Sequence, residues 1–451
     1  MDFAGKKVCV IGTGISGIAA AILLSKEGAN VLLYDGKDNI KKETIEEKIT
    51  GHPDIEVLIG DFPIEKILSL DLAVISPGVP IDIPVVEALK ENGIKIWGEI
   101  ELAYHCGKGK VVAITGTNGK TTTTALTGEI MKNYFNSVYV VGNIGIPYTS
   151  VVDQMVDNTV TVAEISSFQL ETIEDFRPVS SAILNITPDH LNRHKTMENY
   201  IEVKKSITSN QTSTDTCVLN YEDEVLREFG SKLHSKVIFF SSLTKLSKGI
   251  YLDGDHIVYR DNKDTFTICK TTELKLLGRH NHENVMAAIG LAMSMGVPHT
   301  IIRDTIMKFA GVEHRIEFVM EKNQVAYYND SKGTNPDAAI KGIQAMNRPT
   351  ILIGGGYDKD SEYEDWILSF DGKVRYLILI GETKEKIAKA ARKCGFEHII
   401  FAESLKEAVE ISASKAEIGN AVLLSPACAS WGMFKNYEER GNMFKNYVHN
   451  L

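Results

Sequence analysis

The 451-residue sequence predicts an α/β protein in three parts, and three observations carry that reading. Short apolar runs alternate with amphipathic stretches along most of the chain, the pattern of β-α-β units around parallel sheets. Two glycine loops, far apart in sequence, each follow an apolar run and open a helical stretch. The length suits about three domains at roughly 150 residues each.

The first part, 1–107, has apolar strand candidates at 7–11, 31–34, 72–75 and 94–96, with helices between them such as 15–27 and 84–91. The small, basic segment 106–110 reads as a linker. The second part, 108–310, opens with a strand at 111–114 and has others near 161–163 and 182–184. A strand-rich insert covers 236–270, where Gly249 and the Asp253-Gly254-Asp255 turn punctuate alternating residues. The third part, 311–451, has strands at 325–328, 350–353, 376–380 and 421–424.

Composition narrows the function classes. Hydrophobic residues make up 43% and charged residues 24%, enough apolar material for several cores. A net charge of −10 argues against a nucleic-acid binder, which needs a broad basic surface. The six cysteines are scattered without a Cys-x-x-Cys pair, which fits reduced thiols rather than disulfides or structural zinc. The N-terminal residues run into a strand with no signal-peptide pattern, and no apolar run is long enough to span a bilayer. The expectation is a cytoplasmic protein.

Gly12-Thr13-Gly14-Ile15-Ser16-Gly17 is the first glycine loop. Glycines there permit a tight turn and close approach to a phosphate, and the helix N-terminus adds free N–H groups. Gly14, Ile15 and Ser16 are the contact candidates. Asp35 ends the second strand, where it can accept ribose hydroxyl bonds. Ser76-Pro77-Gly78 follows another strand of the same sheet and falls at its ligand-binding edge. A nicotinamide dinucleotide and a UDP-sugar both suit this geometry.

The second loop, Gly116-Thr117-Asn118-Gly119-Lys120-Thr121-Thr122, is a shortened phosphate loop, because Ile114 stands where the longer pattern has its first glycine. Its N–H groups can wrap phosphates, Lys120 can neutralise their charge and Thr121 can reach Mg²⁺. Glu164 ends an apolar strand beside it and is assigned with Thr121 to a first Mg²⁺. Two loops ask for two phosphate ligands, which favours a ligase or transferase. A nicotinamide oxidoreductase and a regulatory NTPase remain as alternatives. The first leaves the second loop unexplained, and the second would turn over ATP with no amino-acid requirement.

Further motifs follow in order: Gly142-Asn143-Ile144-Gly145, Glu164-Ile165-Ser166-Ser167, Thr187-Pro188-Asp189-His190, Tyr200 with Lys204, Gly278-Arg279-His280-Asn281 with Asn284, His314-Arg315, and Asn329-Asp330-Ser331-Lys332-Gly333-Thr334-Asn335. With the second loop, this series resembles the Mur ligase family over essentially the whole chain. Leu424-Ser425-Pro426-Ala427-Cys428-Ala429-Ser430-Trp431 resembles its D-glutamate-adding branch.

The resemblance implies a Rossmann-like first domain, a central P-loop ATPase-like domain and a Rossmann-like third domain. It implies ATP, two Mg²⁺ ions, UDP-N-acetylmuramoyl-L-alanine and D-glutamate as ligands, an acyl-phosphate intermediate, a monomer, and a place in peptidoglycan precursor synthesis. His190 and Lys204 join the metal set, the lysine as a carbamate. Asn143, Ser166 and Lys37 face the UDP-substrate. Asn281, Asn284, Arg315 and Asp330 face ATP, while His314 and Lys332 stand near the reacting groups. Thr334, Lys359, Ser430 and Tyr437 receive D-glutamate, with Tyr437 where the family commonly has Phe.

Overall fold

The computed structural model describes residues 2–262, 264–358 and 361–451. They fold into two compact units. Met1–Ile268 with Glu283–Arg303 form one, and Cys269–His282 with Asp304–Leu451 form the other.

The first unit holds two sheets. The N-terminal one joins β1 (Lys7–Ile11), β2 (Asn30–Asp35), β3 (Glu56–Ile59), β4 (Leu72–Ile75) and β5 (Lys95–Gly98) in the order β3-β2-β1-β4-β5. All its pairs are parallel. The chain starts in the middle, leaves through β2 and β3, then returns to the other flank of β1. The carboxyl ends of β1 and β4 therefore flank a topological switch point, where open α/β sheets take ligands.

The central sheet contains β6 (Lys110–Thr115), β7 (Val138–Gly142), β8 (Val160–Glu164), β9 (Ser180–Ile183), β10 (Thr216–Asn220), β11 (Lys236–Ser241), β12 (Gly249–Asp253), β13 (His256–Arg260) and β14 (Thr265–Lys270). Their order is β14-β13-β12-β11-β10-β9-β6-β8-β7. The strand-rich stretch at 236–270 thus extends the edge of this sheet, and β13 turns back antiparallel on β12. The linker is shorter than the sequence suggests. Cys106 ends the helix Glu99–Cys106 and Lys110 begins β6, which leaves Gly107-Lys108-Gly109. Gly109 is required there: its φ is +88° and a Cβ would lie 2.1 Å from the Thr159 carbonyl oxygen.

In the second unit, β15 (Glu317–Lys322), β16 (Val325–Asn329), β17 (Thr350–Gly354), β18 (Val374–Leu379), β19 (Ile399–Phe401) and β20 (Ala421–Leu424) form a sheet ordered β15-β16-β20-β17-β18-β19. Only β15 is antiparallel to its neighbour among the described pairs. Asn335 caps the helix Pro336–Ala345 through the Ala338 amide, with proline in the first turn. Asn436 caps Tyr437–His449 in the same way through Glu439.

Apolar burial holds each unit. One core runs from Val8, Val10 and Leu33 through Trp97 and Tyr148 to Ala113 and Ile183, so the first two sheets share it. In the second unit, Leu352, Trp366 and Leu423 pack on one face of the sheet and Ile353, Val422 and Phe444 on the other. Each such side chain contributes roughly 1.5–3 kcal/mol. No helix among the described residues is long and apolar enough to cross a membrane.

Candidate active site

The switch point between β1 and β4 opens into a cavity of about 600 Å³. Gly14, Ile15, Ser16, Asp35 and Lys37 line one side, Ser76, Pro77 and Gly78 another, and Asn143 reaches it from the central sheet. The turn depends on glycine at position 17, where a Cβ would fall 1.8 Å from the Gly12 carbonyl oxygen. Asp35 is held from behind: its Oδ2 accepts from the Thr13 amide at 3.0 Å and the Thr13 hydroxyl at 2.8 Å. Ser76 is buried and donates to the Gly12 carbonyl at 3.3 Å, so its hydroxyl serves the loop. Ser166 does not line the cavity. It caps the short helix Ser167–Leu170 in a reciprocal box with Gln169, and Gln169 faces the cavity in its place.

The second glycine loop leaves β6 and enters the helix Lys120–Lys132. Gly116 and Gly119 have φ of +149° and +87°. A Cβ on Gly119 would lie 2.2 Å from Asn284 Oδ1, which sets Asn284 directly against the loop. Asn185, just after β9, braces the turn: its carbonyl accepts from the Thr117 amide and its Oδ1 from the Asn118 amide. Lys120 Nζ folds back onto the carbonyls of Gly116 and Thr117, each at 2.9 Å. Thr121 and Thr122 are buried in the first helical turn, where N–H groups and the helix dipole favour an anion.

Glu164 and Lys204 stand beside this loop, and His190 lies on the segment that follows β9. Glu164 ends β8 and is 1% exposed. Its Oε1 accepts from Asn143 Nδ2 at 2.8 Å, while its Oε2 is buried without a hydrogen-bond partner among the described residues. A buried carboxylate oxygen left unpaired costs free energy, and a divalent cation is the partner its charge suits. Lys204 sits on the helix Met197–Lys205 and is 1% exposed, with Nζ 2.8 Å from the Gly116 carbonyl oxygen. Burial, and then the charge of Lys120, bring its pKa down to about 7, so a large neutral fraction exists near neutrality. His190 has a left-handed backbone, φ +51°, and a half-exposed ring 4.8 Å from that of Phe168. The trio Glu101, His105 and Asp175 also brings ligand atoms together, but Glu101 already accepts from the amides of residues 174 to 176.

Asn281 lies in the second unit, where its side chain donates to the Leu277 carbonyl at 2.7 Å. His314, Lys332 and Tyr437 converge there. The Lys332 amide donates to the His314 carbonyl, and Lys332 Nζ lies 5.6 Å from the centre of the Tyr437 ring. His314 meets that ring edge-on at 5.9 Å and is held by Asn329 at 2.9 Å. Arg315 is half-buried in the adjoining turn. Asp330 is buried, accepts from Ser425 Oγ at 2.7 Å, and is pushed up to about 7 by desolvation. Thr334 follows in the same turn, its amide donating to the Lys332 carbonyl at 2.9 Å. Ser430 is buried in the segment after β20. Lys359 lies outside the described residues.

Arg440 was not among the sequence candidates. It is fully buried and ties two motif segments together, donating to Ser331 Oγ at 3.0 Å, to the Ser331 carbonyl at 2.8 Å and to the Cys428 carbonyl at 3.2 Å. Desolvation lowers its pKa to about 10. Thr13 and Gln169 were missed as well. Both lie inside or beside the motif stretches, and that position is their sequence signal.

Residues 6–98 match the family description "Mur ligase MurD-like, N-terminal domain", 114–292 match "Mur ligase middle domain" and 314–428 match "Mur ligase, glutamate ligase domain". The chain is 57% identical to a UDP-N-acetylmuramoylalanine--D-glutamate ligase of Lachnoclostridium phytofermentans, over 100% of this chain and 99% of the relative. It is 54% identical to the like-named protein of Lachnospira eligens, over 100% of both. Among solved structures it resembles a UDP-N-acetylmuramate-alanine ligase of Thermotoga maritima, with TM-score 0.58, 19% identity and coverage of 98% and 99%. A MurF ligase of the same organism, solved in complex with ADP, gives TM-score 0.56 at 15% identity, with coverage of 100% and 96%.

Proposed function

The chain belongs to the Mur ligase family, and from that premise we propose that it joins D-glutamate to the alanyl carboxylate of UDP-N-acetylmuramoyl-L-alanine, driven by ATP, in peptidoglycan precursor synthesis. The observation that carries the reading is the link between the two phosphate cradles. Asn143 lines the first cavity and holds Glu164 beside the second loop.

A carboxylate resists phosphoryl transfer because both partners are anionic, so positive charge must gather where they meet. Lys120 turns from its loop carbonyls to the β- and γ-phosphates of ATP, with the loop and first-turn amides around them. Thr121, Glu164, His190 and Lys204 would hold magnesium, Lys204 after its neutral amine has taken up CO₂ as a carbamate. A cation bound there supplies charge to the phosphate oxygens. Asn143 fixes the alanyl end, while Gly14, Ile15, Ser16, Asp35, Lys37 and the 76–78 turn hold the UDP portion. Asn281, Asn284, Arg315 and Asp330 address ATP. Thr334, Lys359, Ser430 and Tyr437 seat D-glutamate, with its amine free to attack the acyl phosphate. His314 and Lys332 then steady the developing oxyanion until phosphate leaves.

On this reading the first domain is 1–107, the ATP-binding domain 108–310 and the amino-acid domain 311–451, in a monomer of the cytoplasm. Phosphate release with ATP and UDP-N-acetylmuramoyl-L-alanine, measured against a panel of D- and L-amino acids, tests it. Release is expected with D-glutamate alone. Release with L-lysine or diaminopimelate instead would overturn the amino-acid assignment.

A further inference from the structure

Resting on the assignment of the first cavity to the sugar nucleotide, we infer that Arg193 is a positioning residue that locks the 76–79 loop of that cavity to the loop carrying His190. Its side chain is 13% exposed, and its guanidinium divides its donors between two segments. Nε and Nη2 donate to Glu171 Oε2 at 3.0 and 2.5 Å. Nη1 donates to the Pro77 carbonyl at 3.1 Å and Nη2 to the Val79 carbonyl at 3.1 Å. Pro77 and Val79 both line the cavity.

The other end of the link is equally built. Arg193 stands three residues after His190 in the helix Leu191–His194. Its guanidinium carbon lies 4.2 Å from the centre of the Phe168 ring, the ring that also packs on His190. Glu171 is 5% exposed and faces His194 Nδ1 at 3.4 Å, and His194 Nε2 contacts Ser167 Oγ at 3.0 Å. Loop, guanidinium, carboxylate and imidazole thus form one connected body, its three side chains largely out of bulk water. Only a planar fork with several N–H groups satisfies a carboxylate and two carbonyls at once, and an ammonium does not. The link sets where the sugar nucleotide sits relative to the loop that faces the phosphates, and a misplacement of about 1 Å at such a junction can cost on the order of a hundredfold in rate.

The test compares wild type with Arg193→Met, Arg193→Lys and Glu171→Gln, by steady-state phosphate release and thermal melting. In Arg193→Met, the KM for UDP-N-acetylmuramoyl-L-alanine is expected to rise about tenfold and kcat to fall about tenfold, with KM for ATP and D-glutamate within about twofold. Arg193→Lys and Glu171→Gln should shift the same two constants by about threefold or more. If Arg193→Met does not fold, those two variants decide. Lowered melting with unchanged constants would overturn the inference and leave a structural brace. An equal rise in all three KM values would overturn it too, as general loosening. A wild type inactive on this sugar nucleotide removes the functional reading and the inference together, whereas an active wild type with unaffected variants removes the inference alone.

Discussion

Asn143 and Glu164 join the first cavity to the second glycine loop through one 2.8 Å hydrogen bond, and the second oxygen of Glu164 is buried with no hydrogen-bond partner among the described residues. Asn143 therefore has two tasks: it lines the cavity between β1 and β4, and it orients a carboxylate beside the second glycine loop. A hydrogen bond to a charged group contributes about 1.5–3 kcal/mol, so Asn143→Ala should lower kcat/KM roughly 10- to 100-fold. The magnesium concentration for half-maximal rate should rise along with the KM for the UDP-substrate. An unchanged magnesium dependence would show that the two sites are not coupled through this contact.

Lys204 is buried against the Gly116 carbonyl with its pKa brought down to about 7, a setting that supplies the neutral amine CO₂ needs. On the proposed reading, carbamate formation makes an N–C bond between that amine and CO₂ and releases a proton, which would turn the side chain into a carboxylate-like ligand. Enzyme stripped of CO₂ is expected to lose activity and recover it when bicarbonate is added. Lys204→Ala should fall at least about a hundredfold and show no bicarbonate response. Full turnover by that variant would remove the lysine from the metal set.

The elements that could be read from sequence are those whose chemistry is local. Both glycine loops stand where strand, turn and helix signals coincide, and β1, β4 and β20 span the stretches predicted at 7–11, 72–75 and 421–424. β10 falls outside the stretches predicted from sequence: its apolar run, Cys217-Val218-Leu219, is only three residues long and polar residues flank it, and its full burial comes from the strands on either side. Arg440 and Arg193 were illegible for a related reason. Each is a cation on a helix with carbonyl partners more than a hundred residues away in the chain, Ser331 for Arg440 and Pro77 and Val79 for Arg193, and only the folded topology brings them together. Ser166 engages Gln169 in a reciprocal capping box, and Gln169 lines the cavity from that turn, a pairing that spacing alone does not reveal.

Asp330 gives a pH dependence whose sign can be fixed. Desolvation raises its pKa from an ordinary carboxylate value to about 7 in the folded protein, so between about pH 4 and 7 the folded state binds more protons than the unfolded state. Stability from this group is present below its unfolded pKa and is lost as pH rises through 7. Three units correspond to an upper limit on the order of 4 kcal/mol. Calorimetry at pH 5 and pH 8 should show wild type losing more stability over that interval than Asp330→Asn, which has no carboxyl to ionise. Equal slopes would mean that Asp330 is ionised throughout.

Gly441 controls how closely the helix Tyr437–His449 approaches His314. A Cβ there would stand 2.1 Å from His314 Nδ1 and 3.0 Å from Asn329 Nδ2. The ring cannot swing aside freely, because Asn329 holds Nδ1 and the backbone amide of His314 is bound to Glu317 at 2.9 Å. Gly441→Ala should therefore destabilise by about 1–3 kcal/mol through overpacking and lower kcat by displacing His314 from Tyr437. The cause can be isolated by removing the obstruction. In a His314→Ala background the same Gly441→Ala substitution should cost within about 0.5 kcal/mol of nothing, a non-additivity that a double-mutant cycle on melting data reads directly. Full additivity would place the cost in the helix backbone instead of the ring contact.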